Sequence, residues 1–258
     1  MTLSETICRA KANEVLADFM VASPDEIDLS TIAWRVGRLR IESGDLGTSE
    51  GRLVASGKGG VIRVRQDIQP EGRRRFTIAH EIGHFCLHGP TQALDSLKNM
   101  RTWTKGSKET EANIFAGELL MPERLFRPRV VKSQPSLAFV DQLAKEFSTS
   151  NLAAAVHFVQ HTPEPCALVV SKSNEVSWVR QSVGFEWPLR RDTLHPYSGA
   201  SEINHGTSGD TKGMVETPAG AWISNIDPDG RDSIQEDSRK VEPFGIVITL
   251  LWVRDLLD

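Results

Sequence analysis

Two histidines four residues apart, His80 and His84, stand in the stretch "FTIAHEIGHFCLHG", with Glu81 directly after the first. On a helix, positions i and i+4 lie one above the other. Both imidazoles would then face the same way, and each could give a nitrogen to one Zn²⁺ at ~2.0–2.1 Å. Glu81 is offset by about 100° around the helix, at the edge of that face. There it can hydrogen-bond a water on the cation without ligating the cation itself. Zinc lowers the pKa of such a water and a nearby carboxylate takes its proton, so the pattern predicts hydrolysis with Glu81 as general base. The competing reading is an ordinary amphipathic helix with polar residues on its outer side. Phe76, Ala79, Ile82, Gly83, Cys86 and Leu87 already supply the apolar remainder, which leaves the histidine face for a cleft.

A catalytic zinc needs a third protein ligand and an open fourth position. The residues after His84, "FCLHGP", do not continue with a further histidine at a usable spacing. His88 sits four past His84 on the same helix, and three ligands strung over two turns exceed one coordination sphere. It reads as a supporting or structural residue. A carboxylate from the next helical segment, "KETEANIFAGELLMP", is the other solution, and it offers Glu109, Glu111 and Glu118. Helical phase leans only modestly to Glu109, since phase is poorly defined in a frayed first turn.

The elements that must position these groups follow from pattern. A helix is expected from about Ser4 to Phe19 and a short one in "DLSTIAWRVG", with Asp28 as N-cap and Gly37 closing it. "GRLVASGKGGVIRVR" reads as a hairpin. The motif helix should run from about Arg75 to His88, ended by Gly89 and Pro90, and residues 91–107 read as a loop. Pro122 could open a new helix, and 136–160 reads as two helices around a Ser-Thr-Ser turn. Past Pro163 the texture is β: "CALVVS", "EVSWVRQ", "GAWISNI" and "GIVITLLWV", with 198–213 and 227–242 as loops. The fold class expected is α+β: a mainly helical domain with a small sheet, 1–162, then a β-rich α+β domain, 163–258.

Composition narrows the function classes. The 258 residues carry a formal net charge of −4, so nothing global favours nucleic acid or an anionic membrane. Cys8, Cys86 and Cys166 are odd in number and widely spaced, which fits neither a disulfide framework nor a zinc ribbon. No leader pattern opens the chain and no apolar run approaches the ~20 residues of a membrane helix. A cytoplasmic protein is expected.

"RRFTIAHEIGHFCLH" followed by "ETEANIFAGELLMP" closely resembles the ImmA/IrrE family of zinc metallopeptidases, over about residues 10–160. The resemblance implies a gluzincin-type site on a short helical domain with a small sheet. His80 and His84 match the histidine ligands and Glu81 the catalytic acid/base. The zinc carboxylate carried over is Glu109, four residues before Asn113, with Glu111 as fallback. Asn113 would orient that carboxylate. Such proteins typically cleave a helix-turn-helix (XRE-type) repressor in stress-response or mobile-element operons, so that repression is relieved. The implied cofactor is Zn²⁺, with Mn²⁺ or another divalent metal also suited to the donor set.

Other features carry less. Arg73, Arg74 and Arg75 form a charge run of the kind that is usually solvated. His157 and His161 lack a glutamate between them and read as surface or core. Tyr197 and His195 lie in the β-rich half, so no oxyanion-stabilising group is legible. The helix-turn-helix shape of 136–160 lacks Lys or Arg in "SNLAAAVHFVQH", so packing is expected there in place of direct DNA binding. The strand "GVIRVR" is a candidate edge for a docking peptide. The alternative to a protease is a non-catalytic, zinc-containing regulator that sequesters a partner protein.

Overall fold

The computed structural model describes residues 3–90, 108–206, 209–242 and 244–254; the 91–107 segment, expected as a loop, lies outside them. The chain forms two compact units, Met1–Phe126 with Ala144–Ala153 and Arg127–Leu143 with Ala154–Asp258. Sequence texture places a single break after residue 162, whereas each compact unit takes in part of the 127–153 stretch.

The first unit opens with α1 (Glu5–Ala17), where the Ser4 side chain accepts from the Ile7 amide. Helix α2 (Leu29–Gly37) is capped by Asp28, and Arg38 ends it in the left-handed region. Strand β1 (Leu39–Gly44) follows at once; the sequence reading missed it because only Leu39 of its six residues is fully buried. Strands β2 (Gly51–Ser56) and β3 (Gly59–Arg65) form the expected hairpin. The sheet order is β1-β3-β2, with β1 parallel to β3. "GVIRVR" is therefore the central strand and not an edge. Its backbone groups are committed on both sides, and the edges are β1 and β2. Leu53, Ile62 and Val64 are wholly buried on one face, as a period of two requires.

Helix α3 (Glu71–His88) starts one turn earlier than the pattern suggests. The three arginines lie in its first turns and are engaged. Arg73 pairs with the buried Glu50, Arg75 donates to the Ile27 carbonyl at 3.0 Å, and Arg74 lies 3.2 Å from the Ser43 hydroxyl. They anchor the helix to the sheet and the α2 entry.

Helix α4 (Lys108–Leu120) crosses α3 closely. A β-carbon on Gly83 would meet the Phe115 ring at 3.0 Å and the Ala112 carbonyl at 3.2 Å, so a larger residue there would have to push α4 away by a few tenths of an ångström. Residues 77–84 of α3 are all buried; a helix covered on every side is a core helix. Helix α5 (Glu123–Val130) begins just after Pro122, whose carbonyl receives the Leu125 and Phe126 amides at 2.9 Å.

Helices α6 (Leu137–Glu146) and α7 (Asn151–His161) flank the Ser-Thr-Ser turn. Phe139 and Phe158 meet edge to face with centroids 6.1 Å apart. In the second unit β4 (Cys166–Lys172), β5 (Glu175–Gln181), β6 (Val215–Pro218), β7 (Ser233–Val241) and β8 (Ile246–Trp252) make an antiparallel sheet of order β5-β4-β8-β7-β6. Three expectations fail here. Residues 227–242 are no loop but hold β7, unread because its buried positions include Glu236, Asp237 and Ser238. Residues 198–213 contain α8 (Gly199–Asn204), capped by Ser198. "GAWISNI" is no strand: it forms a 3-10 turn, Ala219–Ala221, that drives Trp222 and Ile223 into the core.

Glu236 shows how polar groups enter this core. Its carboxylate accepts from the Ala200 amide (2.8 Å), the Gly199 amide (3.2 Å), the Trp222 indole (2.8 Å) and the Ser238 hydroxyl (2.7 Å). Four donors offset the desolvation of a buried charge.

Candidate metal centre

Helices α3 and α4 bring His80, His84 and Glu109 together, with one ligand atom from each within 4.8 Å of the others. The Nε2 atoms of His80 and His84 are 3.0 Å apart. Glu109 reaches them with Oε2 at 3.2 Å from His80 Nε2 and Oε1 at 3.4 Å from His84 Nε2. The rings stand nearly perpendicular, at 81°. Both imidazoles are buried, and the Glu109 side chain is 13% exposed. The histidine face thus borders α4 directly, where an open cleft is the sequence expectation.

The far sides of the rings decide the chemistry of the near sides. His80 Nδ1 donates to the Asn113 Oδ1 at 2.9 Å, since an amide oxygen can only accept. Neutral His80 therefore presents a lone pair at Nε2. His84 Nδ1 lies 3.1 Å from His88 Nδ1, and His88 Nε2 lies 2.8 Å from Glu111 Oε2. Burial holds His88 below the usual imidazole range despite the pull of Glu111, so this ring is neutral near pH 7. A nitrogen lone pair and a carboxylate converging in a buried space repel, and a cation relieves that repulsion. The donor set of two imidazoles and one carboxylate fits a divalent metal of the zinc class.

Each predicted residue has a definite place. Glu81 is 1% exposed and lies against the start of β2. Asn113 holds His80, where the sequence reading has it orienting Glu109. Glu111, the fallback ligand, turns away to His88 and accepts from the Leu3 amide at 2.7 Å. Glu118 pairs with Arg9 at 2.8 Å and Asn13 at 3.0 Å. Neither Cys8 nor Cys86 belongs to the cluster, and burial pushes their thiols up to about 11 and about 12. The pairing of His88 with Glu111 escaped the sequence reading, although the i+4 step from His84 signalled that the two rings touch.

A sequence model of the IrrE N-terminal-like domain matches residues 38–158. Over this stretch, a little under half of the chain, the protein is similar to the ImmA/IrrE family. Two relatives are radiation response metalloproteases named IrrE. That of Deinococcus radiodurans is 27% identical over 174 residues, 66% of this chain and 52% of the relative. That of Deinococcus deserti is 25% identical over 175 residues, 67% of this chain and 60% of the relative. The match thus spans little more than half the length of these relatives. A solved Mycobacterium tuberculosis transcriptional regulator shares the fold, with a TM-score of 0.63 at 16% identity over 96% of this chain and 76% of that one. The matched stretch contains α3 to α6 and most of α7, and so contains every candidate ligand. Among the described residues no helix is long and apolar enough to cross a membrane.

Proposed function

We propose that this protein is a zinc-dependent, site-specific endopeptidase of the ImmA/IrrE type that cleaves a helix-turn-helix (XRE-type) repressor and so relieves repression in a stress response. The observation that carries the reading is the neighbourhood of Glu81. A buried acid follows the first candidate ligand, beside a cluster that already has its carboxylate in Glu109. A structural metal has no use for such a neighbour, and structural zinc sites close all four positions with protein atoms.

His80, His84 and Glu109 would hold the cation, leaving one position for solvent or substrate. When bound, zinc supplies Lewis-acid polarisation of the scissile carbonyl and a water acidic enough to ionise near neutral pH. Glu81 would serve as the group that takes up a proton from the attacking water and returns it to the leaving amine. Asn113 keeps the His80 ring in the tautomer that offers Nε2. The outer edge of β2, which starts beside Glu81, receives a substrate segment in extended form by strand addition. Three free cysteines accord with a reducing, cytoplasmic setting. Direct DNA binding is no part of this reading.

The test compares wild type with Glu81→Gln, both zinc-loaded, on a helix-turn-helix protein encoded beside this chain. Wild type cuts it, while the variant binds it uncut. Equal cutting by both removes Glu81 from the mechanism. Binding by both with cutting by neither leaves the sequestering regulator as the function.

A further inference from the structure

We propose that His88 and Glu111 form a positioning relay that fixes the tautomer and aim of His84, so that a carboxylate outside the ligand set governs how tightly the cation is held. The inference rests on His80, His84 and Glu109 being a cation site. Three contacts in series carry it. The Leu3 amide donates to Glu111 Oε1 at 2.7 Å; Glu111 Oε2 lies 2.8 Å from His88 Nε2; His88 Nδ1 lies 3.1 Å from His84 Nδ1.

With His88 neutral, one arrangement of protons satisfies this series. An ionised carboxylate accepts and cannot donate, so the His88 proton sits on Nε2. Its Nδ1 is then a lone pair, which must receive the proton on His84 Nδ1. That leaves the His84 Nε2 lone pair facing His80 Nε2 and Glu109. The reverse polarity places a proton on His84 Nε2 and closes that nitrogen to any cation, while His88 would turn a lone pair toward a carboxylate. Every link is buried or half-buried: Glu111 is 4% exposed and the His88 side chain 6%. In such surroundings a chain of hydrogen bonds polarises each member in turn. Negative charge at Glu111 therefore raises the basicity of His84 through His88, as a carboxylate does directly for a metal-bound imidazole. The two candidate histidine ligands differ in this respect. His80 is held by a neutral amide, whereas His84 is held by a charged relay that ends on the backbone of the segment preceding α1.

Zinc affinity, measured by competition with a chromogenic chelator, tests the relay in wild type, His88→Ala, Glu111→Ala and the double variant. Each single change weakens zinc binding about 10–100-fold. The double variant is no weaker than His88→Ala alone, because the carboxylate acts only through the imidazole. Independent, additive losses, or wild-type affinity in His88→Ala, overturn the relay while leaving the metal site standing. A wild type that takes up no zinc overturns both. Nitrogen NMR of histidine-labelled, zinc-loaded wild type gives a second readout that needs no variant to fold. It should show protons on His84 Nδ1 and His88 Nε2; a proton on His88 Nδ1 sinks the relay.

Discussion

Gly51 and Glu81 meet where β2 starts: a β-carbon placed on Gly51 would stand 2.8 Å from the Glu81 Oε1 and 2.6 Å from the Thr77 methyl. Real β-carbons essentially never approach so closely, so the first residue of the strand must be glycine for Glu81 to keep its position. Gly51→Ala forces Glu81 and Thr77 aside at a cost of about 1–3 kcal/mol. The expected result is a lower Tm and a larger fall in peptide cleavage, with zinc content kept near one per chain. Full activity in a stable Gly51→Ala protein would separate Glu81's position from its chemistry.

Glu109 and Glu111 sit two residues apart and face different partners. Glu109 approaches the two imidazole Nε2 atoms, at 3.2 and 3.4 Å, and Glu111 approaches His88. Glu109→Ala should empty the site at zinc concentrations that still saturate Glu111→Ala. Metal analysis after gel filtration reads this directly, and the reverse order would exchange their roles.

Zinc removal should destabilise the first unit. Without a cation, the two buried imidazoles and the Glu109 carboxylate face one another at 3.2 and 3.4 Å. Ligand present at 100 times its Kd stabilises by about 2.7 kcal/mol, which a thermal melt with and without chelator resolves. Because the ligands must be unprotonated to bind, affinity weakens on acidification. A melt unaffected by chelator at neutral pH would count against a bound metal.

Asp237 offers a pH test in the second unit. Burial raises its carboxyl above the usual range, although the Leu137 amide at 2.7 Å and Arg239 oppose the shift. A raised folded-state pKa means the folded form favours the proton. The stabilising contribution is therefore full below the unfolded carboxyl pKa of about 4 and is lost as pH rises through the folded value. Asp237→Asn keeps an acceptor for the Leu137 amide and removes that loss. Its stability should gain on wild type as pH rises above about 4; parallel pH profiles for the two proteins would contradict the shift.

The legible parts of this molecule are those set by neighbours in sequence. His80, Glu81 and His84 announce themselves because the i, i+4 step of a helix is local, and Ser4 and Asp28 cap their helices through amides two or three residues away. The β2–β3 hairpin is equally local. The failures have a common cause. Strand β7 buries Glu236, Asp237 and Ser238 against donors that include Gly199, Ala200, Trp222 and Leu137, and no polarity pattern foretells distant partners. "GAWISNI" has the apolar content of a strand, yet close approach of Gly220 to the 226–228 backbone makes it a buried turn.

What the sequence determined alone was the pair of imidazoles with its adjacent acid, the helices that carry them and the resemblance to the ImmA/IrrE family. Tertiary structure decided which carboxylate faces them, that β2 and not β3 lies at the edge beside Glu81, and that His88 joins Glu111 behind His84. Those outcomes depend on how α4 crosses α3 at Gly83 and on strand order, and packing between segments far apart in the chain sets both.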